Sequence, residues 1–319
     1  MQRRQALALI GAAAATSVPA FAQDGWPNKP IRLVVPFAPG QVTDWLARFV
    51  GEQMATELGQ PIVVENRAGA NGVLGNAYAA KQPADGYTLV ITSNGTHAAA
   101  PHMTKVLGYE PINDFAHFTA LMSLPWALMV RSDFPAQNIQ EFIAYVRANP
   151  NKLSTGYGSQ SSRLCVHLLR TMAKLDFLDV PYKSLGQTTT DVRGGTLHFN
   201  FLDIGSAMAQ NGQGMRALAV TSPTRSAQMP SVPAMAEVLP GYQMTSWLGM
   251  AAPAGTPPAI TRRLQQVVAK IMANPENQKK IAAYGGQVMT QNGEQIVATI
   301  RAESQVWANF ARDAGVQKE

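Results

Sequence analysis

A single cysteine, Cys165, occurs in 319 residues, so no internal disulfide can form and stability has to come from burial. Charge is scarce as well: Asp, Glu, Lys and Arg together make up 14% of the chain. The Lys and Arg residues form no stripe with interleaved aromatics, which excludes nucleic acid as an expected partner. Apolar runs are short, and none reaches the roughly 20 residues that a membrane-spanning helix needs. Catalytic signatures are missing too. No G-x-S-x-G elbow occurs, and Ser159 sits in Gly158-Ser159-Gln160 without the second glycine. The histidines at 97, 102, 117, 167 and 198 include no H-x-x-x-H pair, which argues against a metal site. Gly69, Gly72 and Gly75 have the spacing G-x-x-G-x-x-G, not that of the dinucleotide fingerprint. The chain reads as a non-enzyme that needs no cofactor.

What is present begins with an export signal over residues 1–22. Arg3 and Arg4 precede an apolar run from Ala6 to Ala15, and Ala20-Phe21-Ala22 forms a small-residue cleavage site before Gln23. Paired arginines also occur in twin-arginine signals, but Gln5-Ala6-Leu7 fits that motif poorly, so the general secretory route is expected. No cysteine follows the cleavage site to carry a lipid, and the periplasm is the expected location. The formal charge is +6, of which Arg3 and Arg4 supply two. The remainder is spread thinly and suits attraction of small anions at long range.

An apolar content of 46% describes a packed globule, and the length suits two domains. From Ile31 onward, short β-branched runs alternate with amphipathic stretches, the pattern of a mostly parallel sheet flanked by helices. Ile31 to Val35 is a strand. Thr43 or Asp44 then caps a helix with Leu46, Val50, Met54 and Leu58 spaced four apart. Strands at Pro61 to Val64 and Tyr87 to Ile91, with a helix from Val73 to Lys81, complete a first lobe over 23–122. Phe118 to Leu121 and Trp126 to Val130 are separated by Ser123-Leu124-Pro125, which a continuous strand tolerates badly, so the chain is expected to cross between lobes there. A second lobe over 123–243 holds a helix from Ile139 to Ala148 and strands near Leu153 to Tyr157, Leu178 to Val180, Leu197 to Leu202 and Ala217 to Val220. Residues 244–319 return to the first lobe as a strand from Met244 to Ala251 and helices at Pro258 to Ala273, Pro275 to Tyr284 and Glu294 to Ala314. Two crossings imply a hinge, and a cleft between hinged lobes encloses a small ligand.

The turns at the C-terminal ends of strands carry the binding chemistry in such sheets, because helix N-termini present free backbone N–H groups there. The turn Pro36-Phe37-Ala38-Pro39-Gly40-Gln41-Val42-Thr43-Asp44 is one of them. Together with Lys29-Pro30-Ile31-Arg32-Leu33-Val34-Val35, Val64-Glu65-Asn66-Arg67-Ala68-Gly69-Ala70, Pro83-Ala84-Asp85-Gly86-Tyr87-Thr88-Leu89, Val180-Pro181-Tyr182-Lys183, Arg216-Ala217-Leu218-Ala219-Val220-Thr221, Pro230-Ser231-Val232-Pro233 and Ala252-Pro253-Ala254-Gly255-Thr256-Pro257, it resembles the Bug-type receptors of tripartite tricarboxylate transporters. The resemblance covers essentially the whole chain after the signal.

It implies a type II-like periplasmic binding fold that closes on a small carboxylate and delivers it, as a monomer, to the integral-membrane permease subunits of such a transporter. It also implies ligand contacts at Phe37, Ala38, Gly40, Gln41, Val42, Thr43 and Asp44 in the first turn, and at Ser93, Asn94, Thr96 and His97. The opposite lobe contributes Ser159, Ser161, Ser162, Tyr182 and Asp203. Several of these have a second, purely structural reading. Asp44 caps a helix or orients the loop; Thr96 and His97 cap a short helix or meet the ligand; Tyr182 belongs to the core or to the site; Asp203 caps the next helix or accepts a ligand amine or hydroxyl. Two departures from the family pattern bear on ligand choice: Gln41 stands where a second glycine is usual, and Arg163 stands where a histidine is usual. Arg163 either pairs with a second ligand carboxylate or is an exposed first-turn residue. An aromatic dicarboxylate is the slightly preferred ligand, on Arg163, Phe37 and Val42. A carboxylate sensor without a permease and an exported hydrolase are the competing functions.

Overall fold

A computed structural model describes residues 25–182, 184–313, 315 and 318; the export signal expected over residues 1–22, and Lys183, lie outside the described residues. β1 (Ile31–Val35) is buried except for Arg32, as a strand covered on both faces requires. α1 (Val42–Leu58) buries Leu46, Val50, Met54 and Leu58 along one stripe. β2 (Ile62–Asn66), α2 (Val73–Ala80), β3 (Thr88–Ser93) and the short α3 (Ala100–Met103) follow, and β1 pairs in parallel with β2 on one side and β3 on the other.

β4 (Phe115–Arg131) leads into α4 (Ile139–Ala148), β5 (Ser154–Tyr157), α5 (Gln160–Ala173), β6 (Leu178–Pro181), α6 (Leu185–Gly194), β7 (Phe199–Asp203), α7 (Ile204–Gln210) and β8 (Met215–Val220). The chain returns along β9 (Thr245–Pro253) and ends with α8 (Pro258–Ala273), α9 (Pro275–Ala283), β10 (Gln287–Val288) and α10 (Gly293–Asp313). The strand order is β2-β1-β3-β9-β4-β7-β5-β6, with β8 and β10 also paired to β4. Two lobes of α/β structure thus share β4 as their hub.

The break expected at Ser123-Leu124-Pro125 is absent: β4 is one strand of 17 residues. Pro125 is accommodated because it stands where the strand changes partners. Up to Pro125, β4 pairs with β9; from Trp126 it pairs with β7. The Trp126 N–H donates at once to Thr221 Oγ1 (2.7 Å), and its carbonyl accepts from the Thr221 N–H at 2.8 Å. The N–H that proline lacks therefore falls at the junction of two ladders, where neither needs it.

One core lies under β1, α1 and α8, with Leu33, Leu46, Val50, Leu264 and Val268 in a single cluster; a second gathers Trp126, Phe142, Leu164, Cys165 and Phe199. The last helix departs from expectation. Ile296 and Ile300 of α10 pack with Ala120 and Trp247, but Trp307 and Phe310 belong to the second core with Leu164 and Leu169. A helix of 21 residues is roughly 31 Å long, enough to lie across both halves. α10 is thus a third element, with β4 and β9, that joins them.

Candidate ligand-binding site

The strand registers decide which turns meet. β3 runs antiparallel to β9 with Ser93 opposite Leu248, and β7 runs antiparallel to β4 with Asp203 opposite Trp126. Because β1 is parallel to β3, and β5 is parallel to β7, the C-terminal ends of all four point at the place where β4 and β9 pass between lobes. The turns that follow, and the helix N-termini they open, face one another across that junction.

In the first turn, the N-cap of α1 is Gln41, not Thr43 or Asp44, and its side chain makes no capping bond. Asp44 lies in the first helical turn, buried, where it accepts from Gly40 N–H (3.0 Å), Arg48 Nε (3.0 Å) and Asn66 Nδ2 (2.9 Å). Burial opposes its charge, but the bonds from Arg48, Gly40 and Asn66 outweigh this and hold its carboxyl down at about 2. The carboxylate is thus neutralised by its own partners. Ala38, Gly40 and Gln41 are exposed, Phe37 and Val42 half-buried. α4, α5, α6, α7 and α9 all start at a side-chain cap, supplied by Asn138, Ser159, Ser184, Asp203 and Asn274. α1, like α2, α3 and α8, has none, and among these it is α1 whose first N–H groups lie in the turn after β1 at the junction.

Phe37 is fixed from behind: its carbonyl accepts from Asn66 Nδ2 at 3.1 Å, and its ring edges Gly72. A Cβ on Gly72 would fall 2.7 Å from the Thr96 methyl and 3.1 Å from the Phe37 ring, so this closeness requires glycine. Gly72 ends a run of four positive φ angles, 141°, 46°, 53° and 91° at Gly69, Ala70, Asn71 and Gly72. Left-handed Ala and Asn side by side cost on the order of 1–2 kcal/mol each, and such strain collects at functional sites.

After β3, Asn94 rather than Thr96 or His97 caps the turn, accepting from Gly95 N–H. Ser93 and Thr96 share a hydroxyl contact of 3.1 Å, and Thr96 Oγ1 lies 2.9 Å from His97 Nδ1. The His97 ring is 1% exposed and packed among Tyr109, Phe115 and His117. Burial, with the neighbouring His117, pushes its pKa well below the ordinary value, so it is a neutral core ring in this conformation.

In the second lobe, Ser159 and Ser162 spend their hydroxyls on each other's backbone N–H in a capping box. Ser161 Oγ instead accepts from Ser246 Oγ of β9 at 3.3 Å, and Ser246 accepts from Trp126 Nε1 at 3.0 Å. Tyr182 donates its hydroxyl to Asp191 at 2.5 Å, which raises its pKa. Asp203 caps α7, accepting from the N–H and hydroxyl of Ser206. Arg163 lies over the rings of Tyr157 and Phe310 at 5.2 and 5.8 Å and makes no ion pair among the described residues.

One contact links the two sets of turns. Trp45 of α1 stacks on Tyr284 at 4.3 Å and 14°, and a Cβ on Gly205, at the start of α7, would lie 2.7 Å from the Tyr284 carbonyl. Ser246, Trp126, Tyr284 and Asn66 thus help assemble the junction without having been singled out from the sequence. They lie far from the turns in the chain, and only Asn66 stood in a quoted block. Two surface cavities, of about 510 Å³ around Arg216 and Asn211 and about 600 Å³ around His117 and Gln265, take no residue from the turns after β1, β3, β5 or β7. Among the described residues no cluster of three or more His, Cys, Asp or Glu side chains could hold a metal, and no helix is long and apolar enough to cross a membrane.

Known proteins share this arrangement. The family model for the tripartite tricarboxylate transporter family receptor matches residues 46–316. Protein BugT of Bordetella pertussis is 32% identical over 327 aligned positions, covering 99% of both chains. Among solved structures, Rpa4515 of Rhodopseudomonas palustris, determined with adipate, superposes with a TM-score of 0.83 at 30% identity over 92% of this chain and 100% of its own. MatC of Rhodopseudomonas palustris, with bound malate, gives 0.76 at 30% identity over 89% and 99%. With the two-lobed fold, the convergent strand ends and matches over nearly its full length, this chain belongs to the tripartite tricarboxylate transporter receptor family and is a solute-binding protein, not an enzyme.

Proposed function

We propose that this receptor works in the periplasm, captures a small carboxylate between its lobes and delivers it to the membrane permease of a tripartite tricarboxylate-type transporter. The observation that carries the reading is the uncapped N-terminus of α1, whose one nearby carboxylate, Asp44, is already held by Arg48, Asn66 and Gly40. An anion there gains from the helix dipole and meets no bare negative charge. The first lobe comprises 23–122 and the second 123–243, with 244–319 returning to the first except that the end of α10 packs on the second. Closure brings Ser161, Tyr182 and Asp203 towards a ligand seated on the turn from Phe37 to Asp44, with Ser93 and Thr96 behind it. The adipate and malate of the solved relatives support a carboxylate as the ligand class.

A thermal-shift screen of aliphatic and aromatic carboxylates tests this. A ligand that binds only the folded state stabilises it by about 2.7 kcal/mol at a hundredfold excess over its dissociation constant, a clear rise in melting temperature. No shift with any carboxylate would overturn the reading.

A further inference from the structure

We propose that Gln160 makes this receptor selective for carboxylates that also carry a hydrogen-bond donor, a hydroxyl or an ammonium group, over the plain dicarboxylates of the same length. The inference rests on the receptor reading above and deepens it to a ligand class.

Gln160 is the first residue of α5, between the Ser159 cap and the Ser161 that reaches Ser246. It therefore stands in the turn that the second lobe presents at the junction. Its Oε1 is buried and has no hydrogen-bond partner among the described residues. Leaving a buried acceptor unmade is unfavourable, and such atoms are rare enough in folded proteins that each needs a reason. A donor arriving with the ligand supplies one.

The charges around it point the same way. Both guanidinium groups of α5 are engaged: Arg163 lies over Tyr157 and Phe310, and Arg170 pairs with Asp179 at 2.6 Å. Asp203, at the end of β7, adds a carboxylate that still has acceptor capacity beside its two bonds to Ser206. The second lobe thus sets two acceptors with free capacity, Gln160 Oε1 and the Asp203 carboxylate, at the junction beside the Ser161 hydroxyl. The uncapped start of α1 takes the carboxylate; the opposite lobe takes the donor.

Affinities for succinate, malate and aspartate, which differ by H, OH or NH₃⁺ on one carbon, read this directly by titration calorimetry. If six-carbon acids bind better, adipate, 2-hydroxyadipate and 2-aminoadipate replace them. The expected result is that a donor-bearing acid binds about tenfold more tightly than its plain counterpart, the factor that 1.4 kcal/mol carries. In Gln160→Met the advantage falls to about onefold while the plain acid is held as before. The unliganded melting temperature checks that the variant folds. Two results overturn the proposal: plain acids that bind the wild type as tightly as, or more tightly than, their substituted forms, as a carboxamide turned to present its N–H would favour, or an advantage that survives in Gln160→Met. In either case binding of any carboxylate leaves the receptor reading standing. Binding of none removes both.

Discussion

Replacing Asp44 by Asn tests whether the first turn is built on a charged carboxylate. The wild-type carboxyl falls from 3.8 to about 2 on folding, which amounts to about 2.4 kcal/mol. Arg48, its cationic partner, is 53% exposed, so solvent screening brings the contribution to about 1–2 kcal/mol. The sign follows from the lowered pKa: this stability is present above pH 3.8 and disappears as the pH falls through about 2. Urea unfolding of the wild type and Asp44→Asn at pH 7, 4 and 2.5 should show the variant weaker by about 1–2 kcal/mol at pH 7, with the gap narrowing steadily towards pH 2.5. Asn keeps only one of the two acceptor oxygens that Gly40, Arg48 and Asn66 use, so it is the change of the gap with pH that reports the charge. A gap that is equally wide at pH 7 and 2.5, or absent at pH 7, would refute the electrostatic account of the turn.

Two other substitutions probe the joining elements. Glu303 of α10 accepts from Trp247 Nε1 of β9 at 2.9 Å, and burial, against that bond, pushes its carboxyl up to about 7. Its raised value means that stability is full at low pH and is lost as the pH rises from about 4.5 through 7. Glu303→Gln, which keeps the acceptor, is expected to be more stable than the wild type at pH 8 by about 1–3 kcal/mol and equal to it at pH 4; a variant weaker at pH 8 contradicts this. Arg163→Ala removes a guanidinium from two rings, so it should cost about 1 kcal/mol in unfolding free energy and weaken mono- and dicarboxylates alike. A loss confined to dicarboxylates would restore the ion-pairing role expected from the sequence.

The sequence by itself determined the elements and the family. Ile139 to Ala148 and Pro258 to Ala273 were delimited to the residue, because apolar period, an asparagine cap and a starting proline are local signals. The quoted turns, in their order, identified the receptor. Only the tertiary structure decided how side chains in those turns are spent. Asp44 is held by a residue four positions on and another on the next strand; the hydroxyls of Ser159 and Ser162 face each other; Arg163 lies on a ring 147 positions away. Pro125 stays inside a strand because two ladders meet there, and α10 crosses both halves because Trp307 and Phe310 find their core in the second. The orphaned Gln160 oxygen was equally invisible from the sequence. Secondary structure follows from neighbours along the chain, whereas a polar atom's partner, or its lack of one, depends on distant segments that only the fold brings within hydrogen-bonding distance.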